Sequence, residues 1–440
     1  MSQFIDIFAG AGGLSLGLLK AGWTGLFAIE KSHMAFETLK YNLIDKKGGP
    51  HFEWPDWLPP SAIGIEAFLE MYKGQLEALR GLPLLAGGPP CQGFSLAGRR
   101  RVNDERNRLF EHYLEFVKEV QPKMLLIENV VGFTTTFRKT ERGVGGVVVD
   151  IDQELFNAAE ELSERLDKMG YTSFISPSKI VIATDFGVPQ RRPRYIHIAI
   201  LKTFLEAAVS YHCSPFETLK ELLASFLHER GLSNDDVTIK EAVADLEQSP
   251  ERLVRCIEPR FTRFNQGKYG PIDNPYQRLM RRDLQGREIL EGQVADSHRF
   301  PNHSARIAAR FQEIISSCRP GIHLNDAERS KLAIGKHCIA GLAGNEPCHT
   351  LTSLPDDLVH YSEPRILTVR EYARIQSFPD GFEFKSNYTT GGKRRRVEVP
   401  RYTQVANAVP PLMAEAFGLA LLQVYTTLLQ ASLLRETIIV

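Results

Sequence analysis

The chain carries no net charge, because 53 Lys and Arg offset 53 Asp and Glu over 440 residues. The whole-molecule field therefore points to no polyanionic or membrane partner, and any such surface has to be local. Paired cysteines are missing too. Cys91, Cys213, Cys256, Cys318, Cys338 and Cys348 are scattered without a Cys-x-x-Cys pair. That spacing argues against a structural zinc site or a disulfide framework and suits a reducing cytoplasm. No run reads as long and apolar enough to span a bilayer, and Met1–Gly10 lacks the basic start of a signal peptide. What is abundant is ordinary globular sequence, and a chain of this length is expected to divide into two domains.

Up to residue 200, short apolar runs alternate with amphipathic stretches. Strands are expected at Phe4–Phe8, Gly25–Glu30, Leu82–Ala86, Met124–Glu128, Lys179–Ala183 and Tyr195–Ile200, with helices over Asn107–Val120 and Glu154–Met169. This rhythm predicts an α/β fold with a parallel, doubly wound sheet. After Leu201 it fails, and irregular sequence punctuated by Arg and Pro runs to about Pro364. Thr368 with Glu371 then makes a capping box for a helix through Gln376, and Pro411 can open a last helix with an apolar stripe from Leu412 to Val424. Charge is uneven in the irregular part. Glu251–Pro320 has 13 Lys and Arg against 8 Asp and Glu, while Thr203–Pro250 has 3 against 9. A basic binding face beside an acidic flank fits this, as does a plain solvated surface.

The most informative segment is Gly87-Gly88-Pro89-Pro90-Cys91-Gln92-Gly93-Phe94-Ser95, directly after an apolar strand. Two prolines preset the turn that presents the Cys91 thiol at a strand end, where open α/β sheets bind ligands. At the N-terminus, Asp6-Ile7-Phe8-Ala9-Gly10-Ala11-Gly12-Gly13 joins a strand to a helix through glycines, and Glu30 ends the next strand. The pair suggests an adenosine-containing cofactor with ribose hydroxyls on Glu30, or else a tight structural turn. The glycines are out of register for a pyrophosphate-binding Gly-x-Gly-x-x-Gly, which favours a cofactor without phosphates. Glu128-Asn129-Val130 brings a carboxylate to another strand end, as an acid, a helix cap or an ion-pair partner. Gln190-Arg191-Arg192-Pro193-Arg194 offers arginines for a phosphate or a carbonyl oxygen, or a simple basic turn. Arg99-Arg100-Arg101 reads as a loop able to close on a polyanion.

These blocks, in this order, resemble the DNA (cytosine-5-)-methyltransferase family from Phe4 to about Gly418, with weak similarity between Lys202 and Cys348. The resemblance implies a Rossmann-like S-adenosyl-L-methionine (AdoMet)-dependent methyltransferase sheet and a smaller, irregular target-recognition domain. Residues 1–200 and 400–440 would form the catalytic domain, and 201–399 the recognition domain. It implies a cofactor site of Phe8, Gly10, Ala11, Gly12, Gly13, Leu14, Glu30, Gly88, Pro90 and Asn407, with Phe8 packed on the adenine. Gln190, Arg192 and Arg194 match its Gln-x-Arg-x-Arg signature, and Leu367–Glu371 the segment that organises the recognition domain. Catalysis would fall to Cys91, Glu128, Arg192 and Arg194. DNA contacts would fall to Gln92, Ser95, Arg99 and Arg100, and, in the basic stretch, to Arg260, Arg263, Arg281 and Arg282. The implied partner is double-stranded DNA, bound by a bacterial, nucleoid-associated, cytoplasmic monomer without metal that is part of a restriction-modification system.

The implied chemistry is coherent. Cytosine C5 is a weak nucleophile, and thiolate addition at C6 turns the ring into an enamine that is reactive at C5. Glu128 would hold the exocyclic amine and favour protonation at N3, Arg194 would bind O2, and Arg192 would position the sugar–phosphate or the Cys91 loop. The base must leave the duplex to be reached. A tRNA-modifying relative would show Thr after Phe94 and a second Cys beyond Glu128–Val130; here Ser95 stands and no Cys follows until Cys213. A DNA-binding paralogue without catalysis is disfavoured by intact Cys91, Glu128 and Arg194. One family block is not matched: the acidic residue that contacts the adenine amino group, for which Asp56 or Trp57-Leu58 are the nearest substitutes. The Gly-rich stretch Arg142–Gly146 has no role legible in the sequence.

Overall fold

A computed structural model describes residues 2–89, 105–142, 148–206, 214–336, 338–392, 394 and 397–439. Its centre is a seven-stranded sheet built from β1 (Gln3–Ile7), β2 (Thr24–Ile29), β3 (Leu84–Gly87), β4 (Met124–Val130), β5 (Tyr171–Ile175), β6 (Val181–Ile182) and β7 (Pro193–Leu201). The order is β2-β1-β3-β4-β7-β5, with β6 also on β7. The first four strands are parallel, as helical crossovers require. The all-parallel expectation is corrected at β7, which runs antiparallel to β4, β5 and β6. The connection from β5 through β6 to β7 holds only a short 3-10 turn, Ala183–Phe186, so no helix carries the chain back across the sheet.

This reversal matters for function. Ile7 pairs with Ile29 and Gly87, Gly87 with Ile127, and Arg194 with Val130. The carboxyl ends of β1 to β4 and the start of β7 thus share one rim, and Arg192 and Arg194 arrive beside the strand-end residues.

Helices cover both faces. α1 (Gly13–Lys20) follows β1, α2 (Glu105–Val120) precedes β4, and α3 (Ala158–Lys168) precedes β5. Asn157 caps α3 by accepting from Ala159 N at 3.1 Å, so this helix starts four residues later than the expected Glu154. The residues before it instead form a strand, Val148–Phe156, paired antiparallel with Phe137–Arg142. The Gly-rich stretch thus joins two paired strands, and Gly143–Gly146 lie outside the described residues.

The C-terminal part completes the same lobe. α4 (Pro215–Glu229), α5 (Val369–Ile375) and α6 (Arg401–Asn407) lead to α7 (Pro411–Ile439). The expected stripe Leu412, Met413, Ala416, Phe417, Ala420, Leu421 and Val424 is buried. α7 lies so close to α1 that a Cβ on Gly17 would come within 2.4 Å of the Ala414 Cβ, and the Trp23 indole donates to Gly418 O at 2.8 Å. By length and composition alone this C-terminal helical segment is apolar enough to cross a membrane, contrary to the reading of the sequence, but 67% of its most apolar window is buried inside the fold. α4 also packs along α7, so residues 215–229 cover the catalytic sheet's lobe.

Farther from the sheet, β8 (Leu253–Arg255), β9 (Asn265–Lys268) and β10 (Val294–Arg299) form an antiparallel sheet. A small core of Phe311, Ile314, Leu324, Ile339, Val359 and Ile366 stands beside it. α5 joins these parts to the rest. Its capping box is formed as expected, with Thr368 N donating to Glu371 Oε2 at 2.6 Å and Glu371 N to Thr368 Oγ1 at 3.3 Å. Arg370 then donates to Asp296 O at 2.9 Å, which fastens α5 to β10.

Candidate active site

A cavity of about 620 Å³ opens at the shared strand-end rim. Phe8, Gly10, Ala11, Leu14 and Glu30 line it on one side, Gly88, Glu128, Arg192 and Arg194 on another, and Asn407 on a third. The glycine loop is held by its own backbone. Phe8 and Gly10 adopt positive φ of 63° and 57°, and this turn aims Gly10 N at Glu30 Oε2, 2.9 Å away. Ser32 N donates to Oε1 at 2.6 Å. Desolvation pushes the Glu30 carboxyl up, and these backbone donors oppose the shift. Each Glu30 oxygen keeps acceptor capacity toward the cavity, as a ribose ligand requires. Gly12 and Gly13, expected to bind cofactor, do not line the cavity. A Cβ on Gly13 would stand 2.4 Å from Val409 O, so its bareness admits the C-terminal segment.

Asp6 is a site residue that the sequence reading passed over. It is fully buried at the end of β1, and burial pushes its carboxyl up to about 7 despite the Ser15 hydroxyl donating to Oδ2 at 2.5 Å. Its Oδ1 has no partner among the described residues although Asp6 lines the cavity. The signal was present in the sequence: a carboxylate inside an otherwise apolar strand, four residues before Gly10.

The second wall joins Glu128 to the entry of the Cys91 loop. A Cβ on Gly88 would lie 2.9 Å from Glu128 O and 3.3 Å from its Oε2, so only glycine lets the chain pass there. Asn129 Nδ2 donates to Pro89 O at 3.0 Å and straps the same segment. Pro90, Cys91, Gln92, Ser95, Arg99 and Arg100 lie outside the described residues. Glu128 Oε1 accepts from Arg194 Nε at 2.7 Å, with side chains only 14% and 9% exposed. Arg194 Nη1 donates to Pro193 O at 2.7 Å, which leaves Glu128 Oε2 as an acceptor and Arg194 Nη2 as a donor without a partner among the described residues.

Arg192 is expected to position the sugar–phosphate or the Cys91 loop, and that loop lies outside the described residues. Arg192 is buried, donates to Ala408 O at 3.1 Å, and keeps an Nε without a partner among the described residues. Desolvation, and then the charge of Arg194, lower its pKa well below the usual arginine value. Arg192 therefore braces the C-terminal segment against the rim. Gln190 is a clasp as well: it donates to Gln376, which donates to Ala408 O, and it accepts from Leu351 N at 3.1 Å. The short strand Gln190–Arg191 pairs with Cys348–His349, which carries Thr350–Ser353 into the cavity wall. No local motif announces those residues.

Neither substitute for the unmatched acidic block reaches the site. The Trp57 ring packs on Phe27 and Tyr72, with centroids 5.7 and 5.6 Å away, and Leu58 is buried. Asp56 does not line the cavity either, and Ile63–Ile65 take that stretch of wall, with Ile63 N bonded to Glu30 O at 2.8 Å.

Of the arginines expected to read DNA, Arg260, Arg263 and Arg282 are exposed. Arg281 is not. It is wholly buried, donating to Asp245 Oδ2 at 3.0 Å, Gly270 O at 2.9 Å and Ile289 O at 2.9 Å. Its neighbours consume every direction of the fork, so it belongs to the interior and not to a DNA face. Gln266 is likewise buried, bonded to Ala295 O at 2.7 Å.

Comparison with known proteins agrees with this geometry. The family model for C-5 cytosine-specific DNA methylase matches residues 2–423. The type II methyltransferase M.DdeI of Desulfomicrobium norvegicum is 29% identical, over 94% of this chain and 87% of its own length. M.XorII of Xanthomonas oryzae, also a type II methyltransferase, is 27% identical over 94% and 83%. In structure, the S. pombe Dnmt2 methyltransferase aligns with a TM-score of 0.51 at 15% identity, covering 96% of this chain and 99% of that one. The strand-end rim, the Glu128–Arg194 pair and a family match over nearly the whole length lead to one assignment: this chain belongs to the C-5 cytosine-specific DNA methylase family.

Proposed function

We propose that this chain is a sequence-specific DNA methyltransferase that moves a methyl group from AdoMet to C5 of a flipped-out cytosine. The observation that carries the reading is the Glu128–Arg194 pair at 2.7 Å, set on the cavity wall beside the Gly88-Pro89 entry to Cys91. The residues present fit the cofactor. A cavity of about 620 Å³ accommodates a nucleoside-sized ligand, and Glu30 offers acceptors to ribose. The unpartnered Asp6 Oδ1 gives a cationic ligand a carboxylate without a competing counter-charge. When bound, AdoMet supplies an electrophilic methyl group on a sulfonium.

The protein's own groups prepare the base. The Cys91 thiolate adds to C6, forming the S–C6 bond while the C5=C6 π electrons become available at C5. Glu128 Oε2 accepts from the exocyclic amine and Glu128 favours a proton at N3. Arg194 donates to O2, where negative charge gathers, in a wall that excludes most water and so strengthens the contact. Once C5 carries the methyl group, loss of its proton and expulsion of Cys91 restore the aromatic ring and the free thiol. Arg192 and Gln190 hold the C-terminal segment, and Asn407 at the end of α6 closes the cofactor side.

The curated relatives are named type II methyltransferases, and this supports a role beside a restriction enzyme of the same target word. The enzyme would work as a monomer on double-stranded DNA in a bacterial cytoplasm. Bisulfite sequencing of DNA from cells expressing the chain tests the reading: a single protected word is expected. Unmodified DNA, with methylation confined to RNA, would overturn it.

A further inference from the structure

Among the arginines beside β10, Arg299 is treated unlike the others. Arg365 pairs with Glu371 at 2.7 Å, Arg370 with Asp296 at 3.0 Å, Arg374 with Asp380 at 2.6 Å and Arg401 with Glu258 at 2.6 Å. The Arg299 side chain makes no hydrogen bond or ion pair among the described residues, and its Nε is buried without a partner there. Three rings surround it instead. Its Cζ lies 3.9 Å from the centroid of Tyr388, 4.0 Å from Phe264 and 4.8 Å from Phe261.

The collar is itself fixed. The Tyr388 hydroxyl donates to Glu258 at 2.5 Å, and Arg401 holds both oxygens of that carboxylate at 2.9 and 2.6 Å. Glu258, a nearby carboxylate that could neutralise Arg299, is thus engaged elsewhere. A half-buried cation without a counter-ion costs free energy that ring faces offset only in part. Rings accept no ordinary hydrogen bond, so the guanidinium's outer N–H groups remain its way to bond. The same corner carries exposed Arg260, Arg263 and Ile257, on the loop between β8 and β9.

We propose that Arg299 reads a guanine of the target word, its fork donating to O6 and N7 on the major-groove edge. This rests on the reading of the chain as a DNA methyltransferase. A phosphate is served by any mobile cation at the surface, whereas a guanidinium held in one plane suits a planar pair of acceptors.

The test uses the full chain, once its word is known from bisulfite sequencing. For Arg299→Gln and Arg299→Lys, kcat/KM is measured on duplexes with each base pair of the word replaced in turn. The expected result is a loss of discrimination at one G·C pair, roughly 5- to 150-fold, with an unchanged salt dependence of binding. Replacing that guanine by 7-deazaguanine should slow the wild type and leave Arg299→Gln unaffected. Intact discrimination at every position overturns the proposal. A uniform loss with a flatter salt dependence would make Arg299 a phosphate contact, and a lowered Tm with the word intact would make the collar purely structural; either outcome overturns it. Should Arg299→Gln fail to fold, the 7-deazaguanine scan of wild type and Arg299→Lys decides, and insensitivity of every guanine to N7 loss overturns the assignment. A chain that methylates no cytosine refutes the enzymatic reading itself, whereas a methylated word indifferent to Arg299 refutes this inference alone.

Discussion

At the rim of the large sheet, Asp6 and Glu30 face a cavity with no cationic partner among the described residues, and Glu30 is held by backbone amides. Beyond the sheet, carboxylates are bracketed by arginines: Asp245 accepts from Arg281 and Arg374, Asp380 accepts from Arg374 through two bonds of 2.6 Å, and Glu371 takes both forks of Arg365. The first arrangement leaves charge available to a ligand. The second spends it on holding an irregular region that has few long elements of its own. A count of basic residues in Glu251–Pro320 therefore overstates its DNA face, because part of that charge is interior cement.

Replacing the proposed nucleophile is the largest available break in this comparison. Cys91→Ala is expected to abolish methylation, whereas Cys348→Ala should retain activity, since burial pushes the Cys348 thiol far up and away from the thiolate. Mass spectrometry of the adduct on a 5-fluorocytosine duplex checks it, and an adduct on any other cysteine contradicts the assignment. Next comes Glu128→Gln. It keeps a hydrogen-bonding partner for Arg194 but cannot favour a proton at N3, so the methyl-transfer rate should fall ~10²–10⁴-fold. Single-turnover rates set against DNA affinity decide this, and a defect confined to affinity would remove Glu128 from the chemistry.

Within the arginine-rich region the largest effect should be on stability. Arg281→Ala strips Asp245 of one partner in a fully buried network, where loss of one member costs about 3–5 kcal/mol. Urea unfolding measures it, and a loss below 1 kcal/mol would mean that Arg374 alone satisfies Asp245.

Much of the rim was legible because its rules are local. Glycines at positive φ, a carboxylate at a strand end and the Thr368–Glu371 capping box all act within a few residues, and the structure places them as read. The buried stripe of α7 was legible as periodicity. What escaped depends on pairings distant in the chain. Thr350–Ser353 reach the cavity only because Cys348 pairs with Gln190, and Arg281 is interior only because Asp245 lies 36 residues before it in sequence and directly beside it in space. The antiparallel β7 escaped because a missing crossover helix is a weaker sign than a present one.

Asp6 gives a smaller, pH-dependent effect. Its folded carboxyl is raised to about 7 by burial, so between pH ~4 and ~7 the folded chain holds a proton that the unfolded chain has lost. The associated stability is complete at low pH and disappears as pH rises through about 7. Asp6→Asn cannot ionise. Relative to it, the wild type should lose stability from pH 5 to pH 8, by at most about 4 kcal/mol. Thermal melts of both proteins across that range test the sign, and parallel curves would show that Asp6 keeps its charge throughout.

The smallest effect falls on the neighbour of Arg281. Arg282 is exposed, and its Nη1 donates to Gly286 O at 2.8 Å, across the turn that also holds Arg287 on Asp283. Removing it should change stability by no more than about 0.5 kcal/mol, as surface substitutions generally do. If Arg282 meets a phosphate, Arg282→Ala should weaken target and scrambled duplexes alike and lower the salt slope of binding by about 1. Anisotropy titrations at several salt concentrations measure both quantities. A loss on the target alone would make Arg282 a base contact, and an unchanged slope would place the turn at Arg282–Gly286 outside the DNA face. With Arg282 on a phosphate, two adjacent arginines differ in opposite senses, the buried Arg281 carrying stability and the exposed Arg282 carrying DNA affinity, a contrast set by burial because the residue types are identical.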